Sequence, residues 1–323
     1  MTTSAPSVRW RGVVEWMLRN LASVIFVLWG AATLAFIAVR IIPGDPVDVM
    51  LGPQAQVSDE VKASIRAELG LDQPVLEQYV TYLAHLARGD LGLSYQLRMP
   101  VTDVIGRQLE ATVQLTAVAL IIALVLAFAT ALWARGPWSR GIAATIELVV
   151  LSSPVFWIGL ILLSVFAFDL GWFPVSGARN PLSIVLPAVT LALPVAALLG
   201  QVLRDGIESA ERLPFAVTVR ARGAGPAWVT FHHTLRHGAS SAVTLAAYLV
   251  GSLLGGAVLV ETVFGRPGIG RVTLAAITDR DLPVISGVIL LSALTFVVVN
   301  LLVDAAYPLI DPRQRSARGG GAR

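Results

Sequence analysis

Apolar and ionisable positions divide this chain into long uncharged stretches separated by short charged ones. The stretches run Leu21–Val39, Ala111–Ala134, Leu148–Phe168, Asn180–Leu203, Gly238–Val260 and Leu282–Val303. Each is close to the ~20 apolar residues that an α-helix needs to cross a bilayer core at about 1.5 Å per residue. The pattern predicts an all-α integral membrane protein of six transmembrane helices. The third is expected to begin near Ile142, with Glu147 close to its end, and the fourth to be kinked by Pro187 and Pro194. The first stretch follows Arg9, Arg11 and Arg19, as a signal peptide would. It is longer than a usual signal core and ends in RIIPGDP without a small-x-small cleavage pattern, so it reads as an uncleaved span.

Composition agrees with lipid as the solvent. The hydrophobic set makes up 55% of the 323 residues and charged residues only 14%, against about 25% charged in soluble domains. The net charge of +3 does not read as a nucleic-acid surface, because the arginines sit at the ends of apolar runs, where anionic lipid headgroups lie. With no cysteine, disulfide and thiolate chemistry are excluded.

Arginine also sets an expected orientation. One set of connecting segments carries Arg135 and Arg140, then Arg204, Arg212, Arg220, Arg222 and Arg236, and shares its side with the arginines of both termini. On the other side, the acids between Pro43 and Glu110 outnumber Lys62, Arg66, Arg88, Arg98 and Arg107. The positive-inside rule puts both termini in the cytoplasm. The expected layout is a cytoplasmic N-terminus (1–20), helix 1 (21–42) and an external helical segment (43–110). A core with helices 2–6 (111–308) follows, including a cytoplasmic loop (204–238), and then a tail (309–323). Within the external segment, Ser58 and Gly70 bracket one short amphipathic helix, and QPVLEQYVTYLAHLARGD reads as a second.

The chain holds no energy source of its own. Lys62 is its one lysine and has no glycine-rich stretch around it, so a phosphate-cradling GxxxxGK[ST] loop is excluded. Nucleotide hydrolysis would fall to a partner. Glu147, Glu261 and Asp304 lie at or near span ends, where an interfacial anchor or a helix-packing role is the simplest reading. His233 and His237 are one helical turn apart, but no third ligand is near and Arg236 makes the neighbourhood cationic, so they read as a basic helix end rather than a metal site.

The loop ERLPFAVTVRARGAGPAWVTFHHTLRHG reads as a helix, a break at Gly223, Gly225 and Pro226, and a second helix. Phe215, Val219, Trp228, Val229 and Phe231 give it an apolar contact surface beside its arginines. The bland alternative is a loop packed on its own helix ends. TVRARGA, followed beyond Gly223 by HTLR, resembles the coupling-loop signature of ABC-importer permeases. More narrowly it resembles the dipeptide/oligopeptide (Dpp/Opp) family and its B-type permease, the one with a long external segment after the first span. RIIPGDP, LGLDQPVLEQY, GDLGLS, SSPVFWIG, GWFPVSG, LPAVTLAL, ETVFGRPGIGRVTLAAITDRDLPVISG and NLLVDAAYPLIDPRQR extend the resemblance along nearly the whole chain in order. Departures are Val217, Thr218 and Val219 where the broad signature has Glu-Ala-Ala, Arg222 for the usual lysine, and His237-Gly238 at the end of the second element.

The resemblance implies a type I ABC importer permease in a bacterial plasma (inner) membrane. It implies a second homologous permease, two ATP-binding subunits that hold ATP and magnesium, and an external solute-binding protein. This chain would bind no cofactor and catalyse nothing. Its ATPase-coupling residues would be Phe215, Thr218, Arg220, Ala221, Arg222, Gly223, Trp228, His233, Leu235 and Arg236. Di- and oligopeptides are the expected cargo. Nickel chelates, glutathione or another small solute remain open, as does a channel or secondary carrier without ATPases.

Overall fold

The computed structural model describes residues 7–41, 46–51, 57–68 and 70–310. Their regular structure is helical. In order come α1 (Ser7–Ile41), α2 (Pro46–Leu51), α3 (Asp59–Glu68), α4 (Val75–Ala87), α5 (Val101–Trp133), α6 (Pro137–Ser152) and α7 (Val155–Leu162). There follow α8 (Val185–Glu211), α9 (Pro214–Ala221), α10 (Pro226–Val229), α11 (Leu235–Val263), α12 (Ile269–Thr278) and α13 (Leu282–Ile310). A π-helical segment, Leu163–Asp169, continues α7, and a π-helical turn, Thr230–Thr234, joins α10 to α11. Residues 1–6 and 311–323, which include most of the expected tail, lie outside the described residues.

Among the described residues, α1, α5, α8, α11 and α13 are long and apolar enough to cross a membrane. A sixth candidate is the pair α6 and α7 with its π-helical continuation, which passes the same test only when taken together and is bent by 107°. The expected single third span is therefore corrected to a broken one. Pro154 lacks an N–H and crowds the residue before it out of the helical region, and Ser153 is accordingly extended (φ −94°, ψ 136°). Pro187 does not interrupt the fourth span as expected. It stands in the first turn of α8, where a missing N–H costs nothing, and Pro194 is accommodated inside a continuous helix. The short helices expected after the first span are α3 and α4, with Gly70 at φ 65° ending the former. Unexpected are α12 and the start of α5 ten residues ahead of its uncharged stretch.

The chain forms two compact units. The first comprises residues up to Arg107 with Val272–Leu301. There Asp281, 2% exposed, accepts the Ser94 hydroxyl and the N–H groups of Tyr95 (3.2 Å) and Gln96 (3.3 Å), which ties the loop before α5 to the turn before α13. The Thr33 and Tyr79 hydroxyls, 2.7 Å apart, join α1 to α4.

The second unit centres on Gln108–Arg271, with α8 packed along α11. Ala188, Ala192 and Ala196 of α8, Ala257 of α11 and Ala119, Ala123 and Ala127 of α5 are buried in its core. Small residues let helix backbones approach closely where lipid supplies no hydrophobic drive. Glu261, wholly buried, fixes the start of α12. Its carboxylate accepts the Thr112 hydroxyl (2.6 Å) and the Gly270 N–H (2.8 Å), while Thr112 Oγ1 accepts the Ile269 N–H (2.9 Å). A Cβ at Gly268 would fall 2.1 Å from that carboxylate, and one at Gly270 2.1 Å from Val258 Cα. The acid expected to anchor or pack a helix end thus packs one, through a carboxylate against which only a glycine fits at 268. The side chain of Asp304 lies outside the described residues.

Candidate functional site

The segment from Arg204 to Gly238 is a hairpin in which the short helices α9 and α10 join the end of α8 to the start of α11. Pro214 occupies the first position of α9, where its fixed φ suits a helix start. Arg222 and Gly223 close α9, the latter at φ 87° with its N–H donating to Arg220 O (2.9 Å). A left-handed residue at that place is what glycine supplies without strain. After α10 the chain widens into the π-helical turn, a geometry often found at functional sites, and enters α11.

A buried row holds this hairpin down. Ala216, Val229, Thr230 and Thr234 are each 0% exposed, and Leu235 packs against Ala131, Leu203, Ile207 and Ala242. On the outside stand Thr218, Arg220, Ala221, Arg222, Gly223 and Trp228. Rings cluster at one edge. Trp228 stacks on His232 (4.7 Å, 15°) and meets His233 edge-on (5.1 Å), and Phe215 lies 6.3 Å from His233. The expected contact surface needs one correction: Val229 is buried beneath it, because the short α10 turns that side chain inward. Val217, 59% exposed, belongs to the surface in its place. The side chains of Arg236 and His237 lie outside the described residues.

Ion pairs that sequence reasoning missed tie the hairpin to its helices. Arg204 of α8 donates to both carboxylate oxygens of Glu147 on α6 (3.0 and 2.6 Å), with side chains only 10% and 5% exposed. Arg140 of α6 reaches Glu208 of α8 at 2.8 Å. Glu211, the last residue of α8, lies 3.4 Å from Arg135 and 3.5 Å from Arg220 of α9. Arg135 also donates to Thr230 Oγ1 (2.7 Å), whose own hydroxyl is 3.4 Å from Glu211. These partners stand up to 95 residues apart, so no local motif announces them. Among the described residues no group of three or more His, Asp or Glu is arranged to hold a metal.

Against known families, residues 119–316 match the binding-protein-dependent transport system inner membrane component, and residues 13–116 match the N-terminal region of such membrane components. The chain belongs to this family. It is 35% identical over 307 residues to the glutathione transport system permease protein GsiC of Escherichia coli (strain K12), and equally to that of Salmonella typhimurium (strain LT2). Each alignment covers 94% of this chain and 99% of the relative. Among solved structures, an inward-facing MetNI methionine ABC transporter has a TM-score of 0.54 at 15% identity, covering 64% of this chain and 96% of its own. An amino acid ABC transporter solved with histidines has a TM-score of 0.52 at 16% identity, covering 64% and 94%. At such identities the likeness is one of fold, that of the type I ABC importer permease. The protein is thus a multi-pass permease component of an ABC importer in an inner membrane.

Proposed function

We propose that this permease forms half of the translocation pathway of an ATP-driven importer for short peptides, glutathione-like tripeptides among them. What carries the reading is the end-to-end 35% identity with permeases named for glutathione transport, glutathione being itself a tripeptide. A second, homologous permease completes the pathway, two ATP-binding subunits hold ATP and magnesium, and an external solute-binding protein selects the cargo. Both termini and the 204–238 hairpin face the cytoplasm in this reading, which the arginine distribution supports.

In this reading Phe215, Thr218, Arg220, Ala221, Arg222, Gly223, Trp228, His233, Leu235 and Arg236 form the coupling site. Exposed Arg220, Arg222 and Trp228 offer charge and an aromatic anchor to a groove on the ATPase. Gly223 gives the turn its projecting shape, and Leu235 roots it. ATP-driven closure of the ATPases then biases a rigid-body switch between inward- and outward-facing states. The test is uptake of labelled glutathione and di- to pentapeptides into vesicles holding the full complex. Uptake that needs both ATP and the binding protein is the expected result. Peptide movement indifferent to ATP overturns the coupling, and ATP-dependent uptake of nickel chelates alone overturns the cargo.

A further inference from the structure

A carboxylate at the last residue of a helix sits at the wrong end of the helix dipole. Glu211 occupies that position on α8, and two guanidinium groups from different elements converge on it. Arg220, on the outgoing arm of the hairpin, approaches Oε2 at 3.5 Å, while Arg135, at the junction of α5 and α6, approaches Oε1 at 3.4 Å. The same Arg135 nitrogen donates at 2.7 Å to Thr230, on the returning arm and wholly buried. Arg212, by contrast, makes only an exposed pair with Glu208 one turn earlier. Three elements therefore meet at one side chain.

We infer that Glu211 is a positioning residue: with Arg135 and Thr230 it clamps both arms of the hairpin to the ends of α5 and α8, so that displacement of the hairpin moves these helices as one body. The inference rests on the coupling role proposed above. The side chains of Arg135, Glu211 and Arg220 are 30–43% exposed, and pairs so open to water contribute little to stability. Losing the clamp should therefore leave the fold intact and change how faithfully motion is passed on.

The test measures peptide taken up per ATP hydrolysed by the reconstituted complex for wild type, Glu211→Gln, Thr230→Val and Thr230→Ser. The expected result is that Glu211→Gln and Thr230→Val retain the ATPase subunits and hydrolyse ATP, while uptake per ATP falls roughly fivefold or more, the low end of typical coupling effects. Thr230→Ser, which keeps the hydroxyl, stays near wild type. An unchanged ratio in both disruptive variants overturns the clamp. So does release of the ATPase subunits by Glu211→Gln, since the carboxylate would then be a docking contact. If the Glu211→Gln permease does not fold, the contrast between valine and serine at 230 decides. Absence of ATP-dependent uptake in the wild type would instead strike down the proposed function itself.

Discussion

Removing Glu147 should destabilise the permease far more than removing the whole ion pair of which it is half. The carboxylate and the Arg204 guanidinium are 5% and 10% exposed and joined by two hydrogen bonds. Gly200 packs so closely that a Cβ there would sit 3.4 Å from Glu147 and 2.8 Å from Thr130 Oγ1. Glu147→Ala leaves a guanidinium without its buried counter-charge, and breaking a buried pair from one side costs about 3–5 kcal/mol. That is roughly two to three and a half decades in the folding equilibrium at 1.4 kcal/mol per decade. Glu147→Met combined with Arg204→Leu removes both charges and keeps most of the volume, so much of the loss should return. The assay is reversible unfolding of the permease in mixed micelles, with wild type and both variants under one set of conditions. A double variant as damaged as the single one would refute the orphaned-charge argument. A single-variant cost below about 1 kcal/mol would mean that water screens the pair as at an open surface.

Three further outcomes follow from the packing. Gly270→Ala drives a Cβ into the backbone of α11 at Val258, which has no rotamer to yield. It should cost about 3 kcal/mol or more, seen as a lower melting temperature, whereas Gly255→Ala, with open space around it, should be nearly silent. Asp281→Asn leaves too few acceptors for the Ser94, Tyr95 and Gln96 donors. At about 1–3 kcal/mol, hydrogen exchange of residues 95 and 96 should speed up by roughly fivefold or more, and unchanged rates would count against the tie. The Gly92 N–H, and then His85, hold the Asp90 carboxyl below its ordinary range. A depressed folded-state value means stabilisation present above the unfolded value and lost as pH falls through the folded one. The stability gap between wild type and Asp90→Asn should shrink on acidification; a gap independent of pH would contradict this.

Five of the crossings were legible because an uncharged stretch of ~20 residues has few other uses. The short helix α3 was legible because Ser58 and Gly70 punctuate it, and α4 from the stretch QPVLEQYVTYLAHLARGD that follows. The bend at Ser153–Pro154 was not, since hydrophobicity has no direction and the apolar run continues through the break. Nor was α12, ten residues framed by arginines, whose start is fixed by a carboxylate in the preceding helix. For the acids, the packing reading of Glu147 and Glu261 was available, but not their partners. Arg204 is 57 residues from Glu147, and Thr112 is 149 from Glu261. Within the hairpin, the turn at Gly223 was readable from composition. Its internal wiring through Arg135, Glu211 and Thr230 was not, because it depends on where three helices end.

The broken third crossing has a consequence for the surrounding lipid. From Val155 to Asp169 it offers 15 residues, at most about 22 Å at α-helical rise, against a hydrocarbon layer of about 30 Å. Because the break turns through 107°, α6 adds no depth along the same axis. Where that segment alone crosses the bilayer, the shortfall of roughly 8 Å is met by local thinning or by shielding from a neighbouring subunit. Where the bilayer meets it, acyl-chain length becomes a variable acting on the importer's conformational balance.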